Sequence, residues 1–417
     1  MKYGLLGKTL KHSFSKEIHA LFGNHEYELI ETDDLASFFH SALFAGINVT
    51  IPYKEAVLPY LNRLDESVNS SGNVNCIVRK NNELIGYNTD YYGFIELLDR
   101  NHVDFVDKKI LILGNGGASK TVKSVCEHKK ATVITKICRH PNGADEIPFN
   151  SIDMVNDYDI IVNTTPIGMY PNNEDSLPID LKMLKKVTIA IDLVYNPIRT
   201  NFLLEAQKLG LKTINGLYML VMQAKKAHEL FFDTYISSDL SSFVYHQLLV
   251  NHQNIVLVGL PLSGKTKIAR ILHDKTGKPV IDTDALIEQE QNITVSEIFS
   301  QYGESYFRNL ESDLIQRIFQ NQNQIISTGG GMIENHQIMN RLRQNGVILF
   351  LDKDPGKIAS HQIHHRPLIQ SPQDVFRISE RRRPLYLQYQ DITIHVDSST
   401  DTLIQEIEDK LNEYFNS

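Results

Sequence analysis

Apolar residues along this chain come in short unbroken runs, not in strict alternation with polar ones. "KILILG" (109–114), "ATVITKI" (131–137), "DIIVNTT" (159–165) and "VTIAIDLVY" (187–195) occupy the middle, and "NIVLVG" (254–259), "QIISTGGG" (324–331) and "VILFLD" (347–352) follow later. Runs of this length, apolar on both faces, predict strands buried between layers of helices. The stretches between them read as helical, and such alternation predicts βαβ units with parallel sheets. The fold class is therefore α/β. "KILILG" and "NIVLVG" each run into a glycine-rich loop that opens a helix, which predicts two separate doubly wound domains. The residues ahead of them read as a smaller α/β unit. "NGLYMLVMQAKKAHELFFDTYI" (215–236) is helical, with Leu217, Leu220, Ala224 and Ala227 on one apolar face. No Pro- or Gly-rich linker marks the join near "YHQLLVNHQN" (245–254), and no internal period repeats.

Composition narrows the partners. At 417 residues, 42% hydrophobic and 22% charged, the chain exceeds one ordinary domain and has material for sizeable cores. A net charge of −8 argues against a dedicated nucleic-acid or anionic-membrane binder. No apolar run reaches membrane-spanning length and "MKYGLLGKTLKHSFS" has no leader pattern, so a cytoplasmic protein is expected. Cys76, Cys126 and Cys138 form no CxxC pair and read as thiols in a reducing compartment. Nothing in the sequence speaks to oligomeric state.

The first loop, "ILILGNGGASKTV" (110–122), places Gly114, Gly116, Gly117 and Ala118 between a strand and a helix. Glycines let backbone approach a pyrophosphate, and the helix N-terminus offers free N–H groups and a positive dipole end. Many βα turns need glycine merely to turn, so the next strand matters. It ends in Cys138-Arg139-His140. An acidic residue there would accept the ribose 2′-hydroxyl of NAD, whereas Arg139 suits the 2′-phosphate of NADP.

The second loop, "GLPLSGKT" (259–266), satisfies the P-loop pattern in the required strand-to-helix setting. Gly259, Ser263, Gly264, Lys265 and Thr266 are its nucleotide-binding candidates. Backbone N–H groups would wrap phosphate, Lys265 would neutralise transferring oxygens, and Thr266 would ligate Mg²⁺ of an ATP complex.

Seven segments of the first 247 residues, in order, resemble shikimate dehydrogenases: "HSFSKEIH", "GINVTIPYKEAV", "GNVNC", "GYNTDYYG", "NTTPIGM", "DLVYNP" and "NGLYMLVMQA". The resemblance implies a substrate domain over 1–105, completed by helices at about 216–247, and a Rossmann-like NADP domain over 106–215. It assigns Lys54 and Asp90 to catalysis, with Lys54 supplying the proton that a reduced ketone needs and Asp90 orienting it. It gives Ser13 and Ser15 to the substrate carboxylate and Thr50, Asn75 and Asn88 to ring hydroxyls. Gln223 falls on a packing face with Leu220 and Ala227, so it must be hydrogen-bonded, and the resemblance favours a ligand. Asn88 also fits turn chemistry, and Ser15 also fits a helix N-cap. "LGKTLKHS" lacks the family's usual proline, and His140 stands where a hydroxyl is usual.

From about residue 252 to 417 the chain resembles shikimate kinases, implying a P-loop, nucleoside-monophosphate-kinase-like α/β domain with a parallel sheet. "IDTDALIE" supplies Asp282, expected at Mg²⁺ through water, and Asp284, expected as proton acceptor. "IFSQYGESYFRNLE" supplies Arg308, "STGGGMI" supplies Gly329, Gly330 and Gly331, and "RRRPLY" supplies Arg382, all expected at the substrate. "HHRPLI" supplies a lid arginine, Arg366. The nearby His361, His364 and His365 lack the cysteine or acidic partners of a metal site. Leu262 replaces a loop glycine, which is costly if that residue needs positive φ.

The expected function is bifunctional: 3-dehydroshikimate reduced to shikimate with NADP(H), and shikimate phosphorylated with ATP and Mg²⁺. Two alternatives stand beside it. One is an NAD-linked quinate/shikimate dehydrogenase with a weak kinase; the other is a dehydrogenase fused to a non-catalytic sensor of shikimate and ATP.

Overall fold

The computed structural model describes residues 2–416 apart from 11–12, 42, 70, 155–156 and 361–367, with backbone alone at 152–154. It divides into two compact units, Met1–Leu248 and Leu249–Ser417, and the division falls within the helix Ser238–His252.

The first unit holds two sheets. β1 (Lys2–Gly7), β2 (Tyr27–Glu31), β3 (Phe44–Val49), β4 (Arg63–Leu64), β5 (Cys76–Lys80) and β6 (Glu83–Tyr87) are ordered β2-β1-β3-β5-β6-β4. β1 lies parallel to β2 and β3, while β5 runs antiparallel to β3 and hairpins into β6. Asn81 and Asn82 make that hairpin at φ 52° and 66°, the pair of positive values a two-residue turn requires and asparagine tolerates. The helix Leu217–Phe232 returns to this sheet, packing Ala227 and Phe231 against Leu5, Leu10, Tyr27 and Val78.

The second sheet is wholly parallel: β7 (Lys109–Leu113), β8 (Val133–Cys138), β9 (Glu146–Pro148), β10 (Ile160–Asn163), β11 (Ile189–Asp192) and β12 (Lys212–Asn215), ordered β12-β11-β10-β7-β8-β9. This is the doubly wound order, with its switch point between β7 and β10, where ligands bind beyond the strand ends. The unbroken run of β7 is explained by its neighbours. Ile110 and Ile112 face one buried cluster and Leu111 and Leu113 the other. Each such side chain contributes about 1.5–3 kcal/mol of burial.

In the second unit, β13 (Asn254–Val258), β14 (Val280–Asp282), β15 (Ile325–Ser327), β16 (Gly346–Asp352) and β17 (Ile392–His395) are parallel, ordered β14-β15-β13-β16-β17. Val256, Val258, Ile326, Ile348 and Phe350 form its core with Phe307, Leu314 and Ile315. Those last three come from Val295–Ile318, which Gly303 breaks at φ 83° and ψ 171°. Among the described residues no helix is long and apolar enough to cross a membrane. All three cysteines are buried and free of disulfides.

Candidate active sites

Lys54 lies in the turn after β3, and its Nζ is 2.5 Å from Asp90 Oδ2, both side chains largely buried. That turn opens at Thr50, which is half-buried and whose carbonyl accepts the Tyr53 amide at 2.9 Å. Asp90 sits in the first turn of the helix Thr89–Arg100, where its position is set by a cap: Asn88 Oδ1 accepts the Tyr91 amide at 3.2 Å. Asn88 Nδ2 donates to Ser71 Oγ at 2.7 Å and to Thr121 Oγ1 at 3.0 Å. In this structure Asn88 is a cap and a bridge, the turn chemistry that its residue type offers, and its amide faces protein partners.

Asn75, Thr89 and Gln223 converge in one buried cluster. Asn75 Oδ1 accepts the Thr89 amide at 2.6 Å, and Asn75 Nδ2 donates to Thr89 Oγ1 at 3.0 Å and Gln223 Oε1 at 3.5 Å. Gln223 Nε2 donates to the Leu220 carbonyl at 2.9 Å, so the amide on the packing face is satisfied by the protein. Thr89 had no role in the sequence analysis, although it lies inside "GYNTDYYG". Ser13 Oγ donates to Ser15 Oγ at 3.0 Å, pairing the two serines. Ser15 is the first residue of its helix, with Phe14 in the cap position and no side-chain cap bond, so the N-cap role expected for Ser15 is absent.

Lys54 shares a cavity of about 690 Å³ with Asn73, Gly114, Gly116, Gly117, Ala118, Arg139 and His140. That volume suits a dinucleotide-sized ligand. Gly114 has φ 106°, which favours glycine, while a Cβ on Gly116 would meet open space. Glycine at 116 is thus required by nothing in the protein itself, as expected where a ligand is to approach the backbone. Arg139 and His140 are exposed at the end of β8. Behind them Glu146 accepts Lys136 Nζ at 2.7 Å and the Asn142 amide at 2.8 Å, which hold its carboxyl down at about 2. Glu146 thereby closes the 139–145 loop from within.

In the second unit the P-loop precedes the helix Lys265–Thr276, with Gly264 in its cap position at φ 99°. Gly259 takes positive φ as well, and a Cβ there would meet the Leu351 carbonyl at 2.7 Å and the buried Ser263 Oγ at 2.9 Å. Lys265 Nζ donates to the carbonyls of Gly259 and Leu260 at 2.9 and 3.0 Å. Leu262 stands at φ 65°, so the residue that replaces a glycine adopts the conformation glycine favours. Thr266 Oγ1 donates to Asp282 Oδ2 at 2.6 Å. Leu262, Lys265, Thr266, Asp282 and Asp284 line one cavity of about 300 Å³.

Glycines 329–331 are crowded by the site. A Cβ on Gly329 would meet Asp284 Oδ1 at 2.6 Å, one on Gly330 would meet Pro261 at 3.0 Å, and one on Gly331 would meet Arg308 Nη2 at 2.2 Å. Arg308 donates to Glu311 at 2.7 Å and to Glu304 at 2.8 Å. Glu311 is fully buried, and burial pushes its carboxyl up to about 7 against the pull of Arg308. It was missed as a site residue although it ends the quoted "GESYFRNLE", because burial is not visible in a motif. Of the three consecutive arginines, Arg382 is the buried one, at 3.3 Å from Glu334, while Arg381 and Arg383 are exposed. Arg366 and His361, His364 and His365 lie outside the described residues.

Comparison with known proteins finds relatives for both parts of the chain. Residues 261–412 match the family model of shikimate kinase, and residues 5–77 match that of the shikimate dehydrogenase substrate binding domain. A shikimate dehydrogenase (NADP(+)) of Clostridium perfringens is 34% identical over 265 residues, covering 59% of this chain and 97% of the relative. A chorismate mutase/shikimate 5-dehydrogenase fusion from Clostridium acetobutylicum aligns at 33% identity and TM-score 0.55, covering 59% of this chain and 96% of that one. A quinate dehydrogenase from Corynebacterium glutamicum, solved with NAD, aligns at 26% identity and TM-score 0.53, covering 60% and 99%.

Proposed function

The chain belongs to the shikimate dehydrogenase family and carries a shikimate kinase domain behind it, and from that premise we propose two consecutive reactions on one cyclic acid. The first is reduction of 3-dehydroshikimate to shikimate with NADPH. The second is phosphorylation of shikimate at its 3-hydroxyl with ATP and Mg²⁺. The observation that carries the proposal is Lys54, paired with Asp90, lining the same cavity as the Gly116–Ala118 loop and Arg139.

In the first reaction negative charge collects on the carbonyl oxygen as the ketone is reduced. Lys54 gives its proton to that oxygen, and Asp90 aims the ammonium. Ser13 and Ser15 present hydroxyls for the substrate carboxylate, with Thr50, Asn75 and Gln223 around the ring. NADPH, when bound, supplies the hydride. Gly116 leaves room for its pyrophosphate and Arg139 meets its 2′-phosphate.

In the second reaction Asp284 accepts the proton of the attacking hydroxyl, and Arg308 and Arg382 hold the carboxylate. Lys265 and the loop amides neutralise charge on the transferring group. Thr266 and Asp282, whose oxygens are 2.6 Å apart on the cavity wall, suit Mg²⁺, which takes few protein ligands beside water and phosphate.

One incubation tests both steps: the protein with 3-dehydroshikimate, NADPH, ATP and Mg²⁺, the products followed by mass spectrometry. Shikimate 3-phosphate formed only when both cofactors are present supports the proposal. Shikimate accumulating unphosphorylated would favour a second reading, a dehydrogenase joined to a shikimate- and ATP-binding sensor. The left-handed Leu262 in the phosphate loop is the observation behind that alternative.

A further inference from the structure

Hydride transfer needs its two reacting carbons held roughly 3–3.5 Å apart. In the first unit the two partners are held by different sheets: the Lys54 turn follows β3, and the glycine loop follows β7. Something must fix the gap. The segment 71–75 lies between them. The Val74 amide donates to the Lys54 carbonyl at 2.9 Å, and the Asn75 carbonyl accepts the Val49 amide at 2.8 Å, so this segment frames the Lys54 turn. Asn73, 2% exposed, points the other way. Its Nδ2 donates to the Gly117 carbonyl at 3.0 Å and approaches Thr121 Oγ1 at 3.4 Å, both in the helix Gly117–His128.

Contact with that helix is so close that a Cβ on Gly117 would lie 2.3 Å from Asn73 Oδ1. A side chain at 117 would therefore have to push the Asn73 amide aside, whereas Gly116 beside it is unobstructed. A second tie, Lys120 Nζ to Glu55 at 2.6 Å, joins the same helix to the same turn, but both side chains are exposed and solvent screens such a pair. The Asn73 amide is the firmer link, because at 2% exposure little water competes for its partners. Asn73 also lines the cavity that holds Lys54 and the glycine loop.

We infer that Asn73 is a positioning residue for hydride transfer, tying the Lys54 turn to the dinucleotide helix and so setting the distance between ketone and cofactor. The inference rests on the dehydrogenase reading proposed above. A misplacement of about 1 Å can lower a rate on the order of 10²-fold, so the effect belongs in kcat.

The test is Asn73→Ala in the full chain, with kcat, KM, NADPH affinity and the deuterium isotope effect from labelled NADPH. The expected result is a kcat lower by roughly ten- to a hundredfold, a larger isotope effect, and KM and NADPH affinity within about threefold of the parent. Gly117→Ala is the second arm. It forces the contact apart and lowers kcat, and adding Asn73→Ala to it restores part of the loss. An unchanged kcat and isotope effect in Asn73→Ala overturns the inference and leaves the dehydrogenase reading standing. So does a lowered melting temperature with no change in isotope effect, or a double variant no better than Gly117→Ala. A parent protein that reduces no 3-dehydroshikimate overturns both.

Discussion

Lys353 Nζ donates to the carbonyl oxygen of Leu262 at 3.3 Å, and Leu262 presents that carbonyl from a left-handed backbone at φ 65°. The Leu262 side chain is partly buried against the core of the second unit. Packing and the Lys353 bond thus hold a conformation that costs a residue with a Cβ about 1–2 kcal/mol. In the same loop, Gly259 and Gly264 take positive φ without that cost.

Replacing Leu262 separates strain from packing. At an ordinary position glycine is less stable than alanine by about 0.5–1 kcal/mol. Here the order is expected to reverse: Leu262→Ala keeps the strain and loses the packing, while Leu262→Gly loses both. Leu262→Gly should be the more stable of the two by about 1 kcal/mol in denaturant melts of the full chain. The ordinary order would show that Leu262 carries no strain.

The two proposed sites use different residues, and single changes should divide them. Lys54→Ala is expected to lower 3-dehydroshikimate reduction by about 10²–10⁴-fold and leave phosphorylation intact. Lys265→Ala should abolish phosphorylation and leave reduction intact. Parallel assays of both steps on each folded variant check this. If either variant lost both activities, the two sites would not be independent.

Arg139 is proposed to distinguish NADPH from NADH by its charge at the end of β8. Arg139→Ala should weaken NADPH by about 1.5–3 kcal/mol, the range for hydrogen bonds to charged groups, and leave NADH nearly unchanged. Titration of both cofactors by fluorescence reads the difference. Equal weakening of the two would place Arg139 elsewhere on the cofactor.

His19 supplies a pH dependence with a definite sign. It is fully buried, stacked on Tyr27 at 4.0 Å, and burial, aided by His228 nearby, lowers its pKa from 6.5 to about 3. The folded state therefore favours the neutral ring, and the unfolded chain binds a proton first. Its contribution to stability is full above pH 6.5 and is lost progressively as pH falls towards 3. His19→Phe should make the acid-side fall of the first unit's melting temperature shallower. The transition to follow is the one that NADPH raises. An unaltered slope would mean that other groups dominate acid unfolding.

Much was legible in the chain because it is local. A strand, a glycine loop and a helix N-terminus are neighbours in sequence, so both phosphate-binding loops could be read from a dozen residues each. The unbroken apolar runs of β7 and β13 announced strands covered on both faces, and resemblance ordered the remaining motifs into two families. Positive φ at a P-loop residue is likewise a local property, and Leu262 stands out in the sequence because it replaces a loop glycine.

Other features depend on residues distant in the chain, and only the folded molecule decides them. In sequence Asn88 fits either a ligand or turn chemistry; the cap bond to Tyr91 and the bonds to Ser71 and Thr121 show how it is used here. Ser15 stands one residue too late to cap its helix, a boundary that sequence rarely fixes. Glu311 has its carboxyl pushed upward because the core closes over it, and no motif encodes burial. Asn73 occupies a segment noted for its likeness to a family, yet its contact with Gly117 exists only because β3 and β7 belong to sheets that the fold brings together. Sequence determined which chemical groups are present and which loops can bind phosphate. Tertiary structure decided which polar groups face one another, because burial and hydrogen-bond partners are set by packing between segments far apart in the chain.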